Sequence, residues 1–107
     1  MAHAGGRTKR LSERAPHIPL SEALEGEFKI RNYLENKILT RSLMKYLLSS
    51  QQYNYIGYKI FYNYDFDKIA KGFNVDINGV KIGYKRAVFI LLGYIDAIES
   101  NEVYEDG

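Results

Sequence analysis

The chain has 107 residues, of which 46% are hydrophobic and 26% are charged, and its formal net charge at pH 7 is +2. This length and composition fit one small globular domain and exclude collagenous and low-complexity chains. The absence of cysteine excludes disulfide scaffolds, zinc–thiolate sites, iron–sulfur clusters and cysteine nucleophiles. No apolar run approaches the ~20 residues of a membrane span, and no hydrophobic signal region is present. We therefore expect a cytoplasmic protein, in the host cell if the source is a virus.

The charges are distributed unevenly along the chain. Residues 1–19 carry four basic residues and one acidic residue, a net charge of 4 − 1 = +3, whereas residues 96–107 carry five acidic residues and no basic one. The four basic residues are Arg7, Lys9, Arg10 and Arg14. Such arms bind nucleic acid because each neutralised phosphate releases counterions; the alternative is a segment that only aids solubility. We predict a flexible basic arm (1–19), one domain (20–100) and an acidic tail (101–107).

The first half of the domain is predicted to be helical. After a short turn of helix over 21–25, a longer helix is predicted from 33 to about 50, because Asn32 and Glu35 have the spacing of a capping box. The alternative is a break at Thr40 that gives two short helices. One apolar stripe of this helix is a candidate interface with another subunit. Its residues are Leu34, Ile38, Met44 and Leu48.

The second half of the domain is predicted to contain a sheet. Apolar residues alternate from Tyr53 to about Asp65, which is typical of a strand. They alternate again over 73–84 around Asn78-Gly79, a dipeptide that favours a two-residue type I′ hairpin. A helix is predicted over 85–100. The predicted fold is therefore α+β, a helix, a three-stranded antiparallel sheet and a helix, with both helices on one sheet face.

The uncovered face of this sheet is a candidate nucleic-acid interface. The alternation places Tyr55 and Phe61 there together with lysines, and aromatic rings among cations stack bases and hold phosphates. The alternative is an ordinary solvated sheet face. Tyr55 and Phe61 are thus the candidate stacking residues. The candidate nucleic-acid-binding cations are Arg7, Lys9, Arg10, Arg14, Lys59, Lys81, Lys85 and Arg86.

The predicted order of elements over about 32–100 resembles that of double-stranded-RNA-binding domains. In that family a basic start to the last helix touches phosphates across a groove, and Lys85-Arg86-Ala87 occupies the equivalent place. The loop over 65–72 departs from the family because it has neither the Gly-Pro pair nor the histidine usual there. The three strands followed by a helix are also similar to small domains that lay strands in a DNA major groove.

No catalytic or metal-binding pattern is found. The chain lacks a phosphate-binding glycine loop, a nucleophile elbow and a His-Glu-x-x-His motif, and its two histidines, His3 and His17, lie in the basic arm. Two segments have the alternating Asn and Asp residues that open a calcium loop. Position twelve of each is Asn74 or Lys85 instead of the closing glutamate. We therefore predict no enzyme activity, no cofactor and no metal.

Two functions remain after these exclusions. The first is a small, non-catalytic nucleic-acid-binding protein that uses the basic arm and the basic start of the last helix, with electrostatic and weakly sequence-specific binding. The alternative is a protein–protein interaction protein, either an assembly subunit or an inhibitor, whose partner is another protein or, in a homo-oligomer, a second copy of this chain. It rests on the first helix, which is apolar on two sides, and on the high tyrosine content. The composition suits a phage, viral or mobile-element accessory protein.

Overall fold

The computed structural model describes the backbone of residues 17–106 and the side chains of residues 17–100. Over these residues the chain forms five helices and no strand. The predicted α+β fold is therefore wrong. The resemblance to double-stranded-RNA-binding domains is also wrong, because it depended on a sheet. The helices are α1 (Leu20–Glu35), α2 (Arg41–Leu47), α3 (Ser50–Phe61), α4 (Phe66–Phe73) and α5 (Ile77–Asp106).

The long helix α5 is the centre of the fold. Helices α1, α3 and α4 pack against it, and α2 contacts both α3 and α5. Its buried side chains recur at spacings of three and four residues, which keeps them on one side of a helix. They are Val80, Tyr84, Ala87, Val88, Leu91 and Ile95. The helix predicted over 85–100 lies within α5, which continues through most of the segment predicted as the acidic tail.

The first predicted strand is helix α3, and its start is set by a capping box. The Ser49 hydroxyl accepts a hydrogen bond from the Gln52 N–H (3.1 Å), and the Gln52 side chain accepts one from the Ser49 N–H (3.0 Å). These two bonds satisfy N–H groups that have no partner inside the helix. The buried residues Ile56 and Ile60 then lie four apart. The apolar residues that alternate in this segment of the sequence therefore lie along a helix, in which burial repeats every three to four residues and not every two.

The predicted hairpin is replaced by the connection between α4 and α5. Asn74 ends α4 in the left-handed conformation (φ 56°), and the Val75 N–H donates to the Ala70 carbonyl at 3.0 Å. The Asp76 carboxylate then accepts from the Asn78 N–H at 3.0 Å. Asn78 and Gly79 consequently lie in the first turn of α5. The chain does turn in this region, but four residues earlier than the Asn-Gly pair predicts.

The first half of the domain is helical, but the predicted boundaries are wrong. Asn32, predicted to cap a helix, lies in the last turn of α1. A tight turn follows in which Lys37 is left-handed (φ 62°). The Thr40 hydroxyl accepts from the Leu43 N–H at 3.2 Å and caps α2. The predicted single helix from 33 to about 50 is therefore wrong, and the chain follows the alternative, a break at Thr40. No helix in the described part of the chain is long and apolar enough to cross a membrane.

Candidate nucleic-acid interface

Three predicted cations lie close together on the second and third turns of α5. Lys81, Lys85 and Arg86 form what we call the basic turn; Arg86 is exposed and the other two are half-buried. The Lys85 ammonium donates to the Ile18 carbonyl at 2.9 Å. This bond places Ile18, near the end of the basic arm, beside the basic turn. Arg7, Lys9, Arg10 and Arg14 themselves lie outside the described residues.

Lys59, the remaining predicted cation, pairs with a buried carboxylate. Its ammonium lies 3.6 Å from the carboxylate of Glu27, which is only 6% exposed. The same carboxylate accepts hydrogen bonds from the Arg31 guanidinium (2.7 Å) and the Tyr84 hydroxyl (2.5 Å). Burial, reinforced by the bond to Glu27, raises the pKa of the Tyr84 hydroxyl. Lys59 therefore neutralises a buried carboxylate instead of projecting toward solvent.

The two predicted stacking residues are poorly placed for that role. Tyr55 is 4% exposed and packs edge-on against Phe73, with 5.7 Å between ring centroids. Phe61 is half-buried, and the Arg41 guanidinium covers one face of its ring at 3.9 Å from the centroid. Tyr55 has no face available to a ligand, and Phe61 presents only part of its ring.

An aromatic cluster lies instead where α3 meets the turn before α4. Tyr58, Tyr62 and Tyr64 form this tyrosine cluster. The rings of Tyr58 and Tyr64 are nearly parallel, at 14° and 5.7 Å between centroids, and the Tyr62 ring lies 5.3 Å from that of Tyr58. Tyr62 is 57% exposed. Phe73 of α4 contacts Tyr58 edge-on at 5.6 Å and completes the apolar side of the cluster.

The turn after α3 positions Tyr64 in this cluster. Asn63 adopts the left-handed conformation (φ 59°), which asparagine tolerates better than most residues with a side chain. The Tyr64 N–H then donates to the Tyr58 carbonyl at 3.1 Å, and the Asp65 carboxylate caps α4 through the Lys68 N–H at 2.8 Å. These bonds bring Tyr64 back onto Tyr58 through the backbone.

Three exposed cations lie over aromatic rings of α3 or of the turn that follows it. Arg41 covers Phe61 as described, Lys45 lies 5.5 Å from the Tyr53 centroid, and Lys68 lies 4.1 Å from the Tyr64 centroid. Such cation–π contacts hold a charge near a ring without neutralising it. No carboxylate of the described residues lies within 4.0 Å of the charged groups of Arg41, Lys45 or Lys68.

Three surface depressions form a continuous row beside these groups, which we call the α3 face. The first and second share Tyr53 and Asn54, and the second and third share Tyr58. The row therefore follows one side of α3 and continues onto α4. Its aromatic and cationic lining residues are Arg41, Lys45, Tyr53, Tyr58, Phe61, Tyr62, Tyr64, Lys68 and Phe73.

The sequence contained a signal for this face that the strand prediction concealed. Under a period of two, Tyr58, Tyr62 and Tyr64 lie on the covered side of a sheet and belong to the core. A helix that starts at the Ser49 capping box instead places Tyr58 and Tyr62 one turn apart on the same side. Arg41, Lys45 and Lys68 were missed because their neighbours along the chain do not show which rings they approach.

The predicted oligomer stripe is not a single exposed surface in this chain. Met44 is fully buried and Leu48 is 6% exposed, so both belong to the core. Leu34 is half-buried, and Ile38, at 47% exposed, lies in the turn between α1 and α2. These four residues therefore do not form a shared contact patch.

Comparison with known proteins gives no relative from which a role could be transferred. No family model, curated protein or solved structure matches the chain. Within the described residues no three His, Cys, Asp or Glu side chains are grouped so that they could hold a metal ion. The surfaces of this molecule are therefore the only guide to what it binds.

Proposed function

We propose that this chain is a small, non-catalytic nucleic-acid-binding protein whose affinity is mainly electrostatic. The observation that carries the proposal is the hydrogen bond from Lys85 to the Ile18 carbonyl, 2.9 Å long. It joins the basic arm, with its net charge of 4 − 1 = +3, to the basic turn on α5. The arm cations precede Ile18 by 4 to 11 positions in the sequence, and we infer that a polyanion bound at the basic turn contacts them as well.

The low net charge of the whole chain is compatible with this proposal because the acidic residues of α5 lie toward its C-terminal end. Asp96, the first acidic residue of α5, follows Arg86 by ten positions, which corresponds to about 15 Å along a helix. The Debye length at physiological ionic strength is about 8 Å, so the repulsion between these carboxylates and a phosphate at the basic turn is largely screened. The charge at the basic turn, and not the net charge of +2, therefore governs the approach of nucleic acid.

The proposal is tested by the salt dependence of binding to a fluorescently labelled 20-mer, single-stranded and duplex, followed by anisotropy. The variant Lys81→Gln/Arg86→Gln is compared with the charge-matched control Lys37→Gln/Lys71→Gln, which removes two exposed lysines outside the basic turn. We expect the first variant to bind more weakly, with a salt slope reduced by about one for each phosphate that the protein no longer neutralises. We expect the control to keep the wild-type slope.

Two outcomes contradict the proposal. One is equal loss of affinity in both double variants, which would show that only the net charge matters. The other is a protein that binds neither oligonucleotide at low salt but forms a defined oligomer in light scattering. That second result would favour an assembly subunit instead.

A further inference from the structure

We propose that the α3 face binds single-stranded nucleic acid by stacking unpaired bases on its tyrosines. This inference rests on the proposed function and names the form of nucleic acid that the protein takes. Such binding requires three properties of the surface: aromatic rings open to solvent, cations placed between them, and a length that several nucleotides can follow. The α3 face has each of them.

Tyr62 supplies the open ring of the tyrosine cluster, and its neighbours hold the cluster in place. Tyr62 is 57% exposed, and Tyr58 and Tyr64 are half-buried. The depression lined by Tyr58, Tyr64, Lys68 and Phe73 has a volume of about 280 Å³, nearly twice the ~150 Å³ that accommodates a benzene molecule. The backbone bond from Tyr64 to Tyr58 and the near-parallel rings fix the platform before a ligand arrives, which lowers the entropy lost on binding.

The charges of the α3 face favour an anionic polymer over a neutral ligand. Arg41, Lys45 and Lys68 each lie at a ring and have no carboxylate of the described residues within 4.0 Å. A strand with stacked bases presents its phosphates beside the rings, where these cations can reach them. Rings alternating with such cations are the arrangement expected for a base–phosphate repeat.

The length of the surface suits a short stretch of one strand. From Tyr53 to Tyr62 the helix rises about 14 Å, which corresponds to about four nucleotides at the ~3.4 Å spacing of one strand. Duplex bases already stack on one another, so their faces are not available to tyrosine rings. The aromatic part of the surface therefore adds affinity for a single strand and none for a duplex.

The experiment compares binding of oligo(dT) 20-mer and of a 20-base-pair duplex by the full chain and its variants, at two salt concentrations. The main variant is Tyr62→Ala, which removes an exposed ring, and the second is Tyr64→Leu, which keeps an apolar side chain in the cluster. The matched control is Tyr46→Ala, which removes a tyrosine that is 85% exposed and lines none of the three depressions. Thermal unfolding shows that each variant is folded.

We expect Tyr62→Ala to bind oligo(dT) about 5- to 150-fold more weakly, the range for loss of one base–aromatic stack. Tyr64→Leu, which removes the ring packed on Tyr58, should bind more weakly as well. Their salt slopes and duplex affinity should stay at the wild-type values, since no charge is removed, and Tyr46→Ala should bind as the wild type does. Wild-type affinity of both ring variants for oligo(dT) overturns this inference. The proposed function then still stands if Lys81→Gln/Arg86→Gln lowers the salt slope.

Two further outcomes separate the proposals. Binding to the duplex alone overturns the stacking inference and directs attention to α4 and α5, because their three-residue connection (Asn74–Asp76) has the length found in helix–turn–helix units. Absence of binding to either oligonucleotide overturns both proposals. Binding of poly-glutamate at the α3 face in place of nucleic acid would indicate an acidic protein partner and would also overturn both.

Discussion

Gly83 is the residue of α5 against which the Tyr55 ring of α3 packs. A Cβ atom at this position would lie 2.6 Å from Cδ2 of the Tyr55 ring, well inside contact distance. Tyr55 is buried against Phe73 and the α4 side of the core, so its ring has little room to move. The absence of a side chain at Gly83 is what allows these two helices to pack with Tyr55 between them.

The substitution Gly83→Ala is predicted to lower the free energy of unfolding by about 1–3 kcal/mol, the usual effect of overpacking a core. Gly79→Ala is the matched control, because a Cβ there meets no atom within 4 Å. It lies in the same helix and should raise stability by about 0.5–1 kcal/mol through helix propensity. Urea denaturation followed by circular dichroism measures both, and equal effects would show that Tyr55 does not constrain Gly83.

Glu99 connects the far end of α5 to α1. Its carboxylate accepts a hydrogen bond from the Tyr33 hydroxyl (2.6 Å) and one from the Lys29 ammonium (3.2 Å). The bond from Tyr33, followed by that from Lys29, lowers the pKa of the Glu99 carboxyl below its ordinary value of 4.5. The ionised form is therefore the one that the folded state favours.

Because the folded-state pKa is lowered, the contribution of Glu99 to stability is present above the ordinary glutamate pKa and is lost as the pH falls through the folded-state value. We predict that between about pH 5 and pH 3 the wild type loses more stability than Glu99→Gln does. The measurement is the urea midpoint at each pH. Parallel pH profiles for the two proteins would contradict the assignment.

At the scale of elements, α1, α3 and α5 are joined by the buried Glu27 carboxylate. It binds Tyr84 of α5 and Lys59 of α3, while Arg31 donates to Glu27 and also reaches the carbonyls of Ile60 (3.4 Å) and Lys59 (3.5 Å). Arg31 thereby satisfies carbonyls at the last turn of α3, which have no partner within the helix. One carboxylate thus fixes the relative positions of three helices.

Replacing Glu27 by alanine is predicted to destabilise the fold by about 3–5 kcal/mol, because it leaves cations and a hydroxyl at a buried site without their acceptor. Glu27→Gln keeps the shape and one acceptor oxygen, and its effect should be smaller. Chemical denaturation of the two variants tests this order. A Glu27→Ala protein as stable as Glu27→Gln would mean that water replaces the carboxylate.

The same elements show what the sequence could predict. Thr40 caps α2, but the sequence predicts a break there only as the alternative to one long helix, and Asn32, predicted as a cap, lies inside α1. The alternation after Ser49 and before Asp65 concealed the caps at those two residues. The alternation around Asn78-Gly79 favoured a hairpin by its local residues, yet Val80 and Tyr84 bury at helical spacing against α3 and α4. Local strand preference is worth about 1 kcal/mol, less than burial of these two side chains, so tertiary packing decided the outcome.

At the level of the whole molecule, the sequence shows that basic residues predominate at its start and acidic residues at its end, because charge can be counted without a fold. It could not show which cations lie together. The bond between Lys85 and Ile18 joins residues 67 positions apart, and the rings of the α3 face become neighbours only once α3 is a helix. Which side chains share a surface depends on contacts between residues far apart in the chain, and local sequence patterns do not show these contacts.

A polyanion that contacts the basic arm and the basic turn together should bind more weakly once the arm is removed. The most direct test measures the affinity of the full chain and of a chain lacking residues 1–16 for a single-stranded 20-mer across a series of salt concentrations. We predict a steep linear fall of log K with log salt for the full chain, and a weaker, shallower dependence without the arm, at unchanged thermal stability. Identical affinities and slopes for the two chains would contradict the claim.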